Sequence, residues 1–365
     1  MEDHGFAFAQ RSHMKKKPAN TNGAAAIGRR SAAAACVIYI AVCLYLYHPY
    51  LSDPEPDRYI IMINSVVGAV GCFVLSRRWI GTFIGSLFAG GVYGFCPLAF
   101  GLASNHPLAG VPLAFLPWLF CPAAFWQKYT ARHNRRIPAS RFGPAAITTA
   151  LCLIPFLAVI IYFLLCSKPP IGPVFPLRLE KLRPANLAGL IVPLAVKPHD
   201  FVFSVYHVPL PACLMGLCMA IASKRTGIMV IAGCAIVLAF SKPLFNQVPP
   251  VVWTLVPMLV ASILVGLGME AFAWAGAADR QWVLFCGAAT AVIAAGCLYL
   301  TITKGPLYRL PTVMHTLAVV MVCIVYFMER ARLRLHAVRW TLLAAAMGLD
   351  ILLCSRYIID GIGGL

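Results

Sequence analysis

Long apolar stretches separated by short polar clusters dominate this chain. The stretch from Ile80 to Trp126 contains no Lys, Arg, Asp or Glu, and it is too long for one membrane crossing, which takes about 20 helical residues. Its length suits two crossings joined by the polar turn Ala103–Pro107. Arg77 and Arg78 precede the stretch and further basic residues follow it. Since loops rich in Lys and Arg stay in the cytoplasm, the pattern predicts a membrane hairpin with both ends cytoplasmic.

The same pattern along the whole chain predicts an all-α fold, a polytopic transmembrane bundle of about eleven spans with a cytoplasmic N-terminus. The spans share an apolar composition and end at charged or proline-rich turns. In chain order they are Ser31–Leu51, Tyr59–Ser76, two within Ile80–Trp126, Gly143–Cys166, Phe201–Ser223, Thr226–Ser241, Pro249–Met269, Gln281–Thr303, Leu310–Met328 and Trp340–Ser355.

Polar and basic segments divide the chain into four regions. Residues 1–30 read as a disordered basic cytoplasmic tail. Residues 31–166 hold spans one to five, and residues 201–365 hold spans six to eleven. Residues 167–200 form a long outer connection, whose short apolar run suits an interfacial helix. The connection is itself basic, so an alternative topology has one span miscounted and the second half inverted.

Composition supports a membrane protein. Hydrophobic residues make up 61% of the chain and charged residues 12%, whereas soluble domains are about 25% charged. The net charge of +18 comes from basic clusters between spans, which act as topology signals and contact lipid head groups, so we expect membrane lipids and no nucleic acid as partners. We expect a multi-pass protein of the inner (plasma) membrane. The 14 cysteines form no Cys-x-x-Cys pair, so their spacing predicts packing residues rather than a zinc site or disulfides.

Histidines and carboxylates gather at the predicted outer ends of spans, as an outward-facing acid/base or metal site requires. The strongest candidate is Asp350, which lies inside span eleven, where a carboxylate costs about 2.5–3.5 kcal/mol on insertion scales. Arg356 is six positions away and does not share its helical face, so its partner should come from another span or loop. The candidate catalytic residues are Asp53, Glu55, Asp57 and Asp350, and the candidate substrate-binding residues are His106, His199, His207 and His315.

The segment from Gly85 to Pro97, Gly-Ser-Leu-Phe-Ala-Gly-Gly-Val-Tyr-Gly-Phe-Cys-Pro, is followed by His106-Pro107 and by Leu113-Ala-Phe-Leu-Pro-Trp118. This succession resembles the spans after the first outer loop in polytopic glycosyltransferases of the GT-C type and their YfhO-like relatives. The resemblance implies transfer of a sugar from a polyprenyl-phosphate donor at the outer face, with an acidic residue of the first outer loop as the base. The matching positions are Asp53, Glu55 and Asp57. The cofactor is unknown, and a divalent cation is the candidate.

Two other functions stay open. A transporter or permease would use Asp350 to bind a proton or substrate, and Pro209 and Pro211 mark a helix end of the kind that lines cavities. A non-catalytic membrane subunit would depend on the close-packing pairs Gly81/Gly85 and Gly90/Gly94. The chain contains no Gly-x-x-x-x-Gly-Lys-Ser/Thr, His-Glu-x-x-His or Gly-x-Ser-x-Gly motif, which argues against P-loop enzymes, zincins and serine hydrolases. The oligomeric state and any metal ligands are left open.

Overall fold

The computed structural model describes residues 21–50, 56–100, 110–133, 153–154, 189, 207–223, 226–241, 253–331 and 335–363. Every regular element within these ranges is helical, which confirms the all-α fold. The helices longer than one turn are α1 (Thr21–Tyr47), α2 (Pro56–Ser76), α3 (Phe83–Gly94), α4 (Gly110–His133), α5 (Leu210–Ala222), α6 (Thr226–Phe240), α7 (Leu255–Trp274), α8 (Arg280–Lys304), α9 (Arg309–Arg330) and α10 (His336–Gly363).

Seven segments of the described chain are long and apolar enough to cross a membrane. They involve α1, α2, α3 with the turn that follows it, α7, α8, α9 and α10, while α4, α5 and α6 contribute shorter apolar stretches. The predicted count of about eleven spans is therefore not reproduced in the described residues. Of predicted span five the structure describes only residues 153–154, and of the long connection, with its proposed interfacial helix, only residue 189, so neither prediction is tested.

The first helix differs from its predicted boundary. It begins at Thr21, so residues 21–30, which we assigned to a disordered tail, are helical. The segment Ala24–Ala26 explains the difference, because alanine has the highest helix propensity and extends α1 ahead of its apolar part. Residues 1–20 lie outside the described residues.

Helix α7 is the centre of the bundle, and small residues bring its neighbours close. A Cβ on Gly85 of α3 would meet the carbonyl oxygen of Gly266, and a Cβ on Gly216 of α5 would meet that of Leu264. Such approaches maximise van der Waals contact between helices that have no hydrophobic driving force to associate within lipid. The predicted close packing at Gly85 is therefore confirmed, and α7 adds a second set of small residues that the sequence pattern left unassigned.

Polar contacts tie the helices together at the end of the bundle that carries Arg77, which we call the Arg77 end. The Gly81 N–H donates to Glu270 Oε2 at the α2–α3 turn (3.0 Å). Arg339, only 2% exposed, donates to the Ala275 carbonyl (2.9 Å) and to Glu329 Oε2 (3.1 Å). The first Arg339 bond satisfies the Ala275 carbonyl at the C-terminal end of α7, and the two bonds together fix α9 and α10 against that end.

Helix α5 runs in the direction opposite to its prediction. Ala212 packs on Gly268 and Gly216 on Leu264, so α5 is antiparallel to α7 and parallel to α3. The charge pattern instead placed the end of span six on the side of Arg77, because Lys224 and Arg225 follow it. Helix α7 ends and α10 begins at the Arg77 end, as predicted, so the contacts do not match the alternative in which the whole second half is inverted.

Apolar side chains face outward along the long helices. On α8, Val292 is 73% exposed and Ile302 76% exposed, and on α1 Val37 is 66% exposed. Exposed apolar side chains on several long helices are what a lipid solvent requires, and a water-soluble monomer rarely shows such continuous patches. The described part of the chain is therefore built as a multi-pass membrane protein.

Candidate functional site

Asp350 lies near the middle of the candidate span His336–Asp360, the membrane-length part of α10. Its carboxylate is 18% exposed, so it is largely removed from solvent. His207 Nε2 donates a hydrogen bond to Asp350 Oδ2 over 2.8 Å. The prediction that the partner of Asp350 comes from another segment is confirmed, and Arg356 instead pairs with Asp360 one turn further along the helix.

His207 stands on non-helical backbone inside the bundle. Residues 207–209 precede α5, and both His207 and Val208 are buried. Unwound backbone at membrane depth is tolerated only where protein covers it or where it lines a cavity, since lipid cannot hydrogen-bond its polar groups. Pro209 and Pro211 reduce this cost because they carry no N–H group. The two prolines therefore allow α5 to begin within the bundle, and the imidazole of His207 lies just before its first residue.

Two sulfur atoms lie near the His207–Asp350 pair. Cys354 follows Asp350 by four residues on α10, so the two side chains share one helical face. The Sγ atom of Cys354, a ring nitrogen of His207 and a carboxylate oxygen of Asp350 all lie within 4.8 Å of one another. Cys354 Sγ also lies 3.9 Å from the Sδ atom of Met314 on α9.

A cavity of about 70 Å³ opens beside this cluster. Its polar lining comes from His207, His315 and Asp350, and the rest of the lining is apolar and rich in methionine. The walls belong to the start of α5 and to α7, α9 and α10. The volume is enough for a few water molecules or a small ion, and too small for a sugar.

The structure brings together three of the predicted site residues. His207, His315 and Asp350 line one cavity, and His315 is only 3% exposed. Asp57 is in the first turn of α2, and its side chain lies outside the described residues. Asp53, Glu55, His106 and His199 lie outside them as well. The cavity lining within the described chain includes no residue of α1 or α2.

Sequence reasoning missed Cys354 and Met314. Their types are common packing residues in spans, and fourteen scattered cysteines gave no reason to prefer one. The available signal was the spacing of Asp350 and Cys354, which places a carboxylate and a thiol one helical turn apart. His207 was already a candidate, but spacing could not place it beside Asp350 and Cys354, because it is remote from them in sequence.

Comparison with known proteins assigns no family. We found no match among models of protein families, and no curated protein or solved structure is detectably similar to the chain. The function is therefore inferred from the geometry of the site.

Proposed function

We propose that the protein is a multi-pass membrane transporter that binds its substrate or coupling cation at the His207–Asp350 pair. One observation carries this proposal: unwound backbone, a buried carboxylate and a cavity coincide in the middle of the bundle. Discontinuous helices that end at mid-membrane are how many transporter folds present polar groups to an ion or substrate. A carboxylate in a span is costly, and its usual role there is to bind what crosses.

The proposal also covers the orientation of the bundle and the membrane in which the protein lies. We place the Arg77 end in the cytoplasm, since Arg77, Arg78 and Arg330 cluster there, and we place the protein in the inner (plasma) membrane. The N-terminus is then cytoplasmic, and the end of α8 at Lys304 faces outward.

The GT-C resemblance stays a separate proposal. It would need Asp53, Glu55 or Asp57 to face a sugar donor at the outer surface. Among the described residues, the cavity connects Asp350 with α5 and α9 and not with α2. The transferase therefore draws its support from the sequence resemblance, and the transporter draws its support from the site geometry.

Access of water to the cavity distinguishes these functions. Ala318 and Ala346 line the cavity, whereas Ala295 is exposed on the lipid-facing side of α8. Each is changed to Cys, and the protein is reconstituted in liposomes. A charged, membrane-impermeant thiosulfonate reagent is then applied either outside or inside, and peptide mass spectrometry identifies the modified cysteines.

A transporter that alternates between two states predicts that Ala318→Cys and Ala346→Cys react from both sides, while Ala295→Cys reacts from neither. Reaction from the outer side alone would contradict transport and favour a surface transferase. Absence of reaction from both sides would contradict any water-accessible site and favour a non-catalytic subunit.

A further inference from the structure

Three side chains beside the cavity offer three different metal ligands within one small volume. His207 supplies an imidazole nitrogen, Asp350 a carboxylate oxygen and Cys354 a thiol sulfur, and these atoms lie within 4.8 Å of one another. Within the described residues no other group of three or more such side chains comes this close. His207 Nδ1 is also buried without a hydrogen-bond partner among the described residues, although a buried ring nitrogen is normally satisfied.

The spacing suits a tetrahedral ion after small side-chain adjustments. Zinc binds nitrogen and oxygen at about 2.0–2.2 Å and thiolate sulfur at about 2.3 Å, which separates neighbouring donors by about 3.3–3.7 Å. The 2.8 Å contact between His207 and Asp350 must lengthen slightly, and Cys354 must approach. Asp350 and Cys354 already project from one face of α10, so rotation about their side-chain bonds is enough.

The ligand chemistry selects the class of metal. Mg²⁺ and Ca²⁺ take oxygen ligands, and a thiolate with an imidazole excludes them in favour of a borderline transition metal. The sulfur of Met314, 3.9 Å from Cys354, adds to the soft character of the site. A carboxylate favours a divalent ion over Cu⁺, so Zn²⁺ is the representative ion.

Charge balance also favours a dication at this depth. A bound Zn²⁺ carries two positive charges, and the Asp350 carboxylate and the Cys354 thiolate together carry two negative ones. The thiol proton, and any proton on the coordinating ring nitrogen, leave to water in the cavity. The loaded site is then neutral, as burial within a bilayer requires, and the remaining cavity lining adds no acidic or basic group apart from His315.

We propose that His207, Asp350 and Cys354 bind a borderline transition-metal dication of the Zn²⁺ class, and that this ion is the cargo of the transporter. The role as cargo rests on the proposed function, whereas the binding site stands by itself. Three protein ligands leave a fourth coordination position on the metal, as exchangeable sites require. A cargo ion needs such a position, since it must leave the site again.

The test is equilibrium binding to the full chain in detergent, after treatment with a chelator. The protein is dialysed against Zn²⁺ and its metal content is measured by mass spectrometry, and Co²⁺ replaces Zn²⁺ in a parallel titration. We expect one Zn²⁺ per chain, and a near-ultraviolet thiolate-to-cobalt charge-transfer band. Removing even a residue that only supports a ligand costs about 10–100-fold in metal affinity, so His207→Gln, Asp350→Asn and Cys354→Ser should each cost at least about tenfold.

Matched controls are available on the same helices. Asp360 is an exposed acid on α10 and Cys323 is an exposed thiol on α9, so Asp360→Asn and Cys323→Ser should leave the Zn²⁺ content and the cobalt band unchanged. A missing band in the unaltered protein would overturn the proposal, and so would a band that survives in Cys354→Ser. If Cys354→Ser is not monodisperse, loss of Zn²⁺ in Asp350→Asn decides the question.

Failure of the metal site and failure of transport give different results. Zn²⁺ binding without uptake into liposomes that contain a trapped zinc dye would leave the site intact and refute its role as cargo site. No Zn²⁺ binding, together with cavity cysteines that react from both sides, would refute the metal site and leave a transporter for another substrate.

Discussion

At the scale of single residues, the energetics of Asp350 depend on its surroundings. An isolated carboxylate in a span is unfavourable, and a histidine at hydrogen-bonding distance changes the balance by supplying a donor within the bundle. The remaining cost is compatible with a site that binds a cation, because the ion supplies the missing interaction. A residue placed only for packing would not need this arrangement.

A second charged pair, Arg339 with Glu329, has a structural role and so contrasts with the His207–Asp350 pair. Arg339 and Glu329 are buried at the Arg77 end, away from the cavity, and Arg339 also caps the C-terminal end of α7. Neither residue is among those that line the cavity. We infer that this pair holds three helices together, and that the Asp350 pair serves function.

Removing the arginine should therefore cost stability. In Arg339→Ala, Glu329 is left as a buried charge without its partner, and breaking such a pair typically costs about 3–5 kcal/mol. Unfolding in detergent, followed by circular dichroism, measures the loss. Arg330→Ala is the matched control, since Arg330 is exposed at the end of α9, and its effect should stay within about 0.5 kcal/mol. Equal stability of the two variants would show that the buried pair is not structural.

At the scale of elements, α5 is the unusual helix. It has 13 residues, which span about 20 Å and fall short of the hydrocarbon core of about 30 Å. It starts at the cavity and packs along α7 through Gly216 and Gly268, where the two backbones nearly touch. This close packing holds the start of α5, and with it His207, in place.

Adding one methyl group at this contact tests the packing. In Gly216→Ala the new Cβ meets the carbonyl of Leu264, which is backbone and cannot rotate away, so we expect a loss of about 1–3 kcal/mol. Gly296→Ala on α8 is the control because nothing lies near its Cβ position, and it should be neutral or stabilising by up to about 1 kcal/mol. Detergent unfolding compares the two, and an undiminished stability in Gly216→Ala would contradict the α5–α7 contact.

Sequence patterns predicted the long helices and Asp350, and they failed on α5. The length of an apolar run identifies a membrane span directly, and a carboxylate within a span is unusual, so both features could be predicted from neighbouring residues alone. The direction of α5 depends on contacts between Gly216 and Leu264, which are distant in sequence, while the adjacent Lys224 and Arg225 pointed the other way. His207 and Cys354 became site candidates together only when the fold joined their segments.

At the scale of the whole molecule, the bundle has a polar end at Arg77 and a polar centre. The Arg77 end holds the buried ion pair, the turn fixed by Glu270 and the exposed Arg330. The centre holds the cavity with its imidazole, carboxylate and nearby thiol. Helix α5 begins at the cavity and runs toward the end of the bundle opposite Arg77. Because this direction places His207, which precedes α5, beside Asp350, the site depends on the direction of α5.

Epitope tags at three loops measure that direction in membranes. Ser223 follows α5, Gly305 separates α8 from α9 at the end opposite Arg77, and Ala331 separates α9 from α10 at the Arg77 end. A tag is inserted after one of these residues at a time, and its sidedness is read by antibody access before and after permeabilisation. We expect the tags after Ser223 and Gly305 to face the same side, and the tag after Ala331 to face the other. A tag after Ser223 on the side of Ala331 would contradict the path of α5, and with it the meeting of His207 and Asp350.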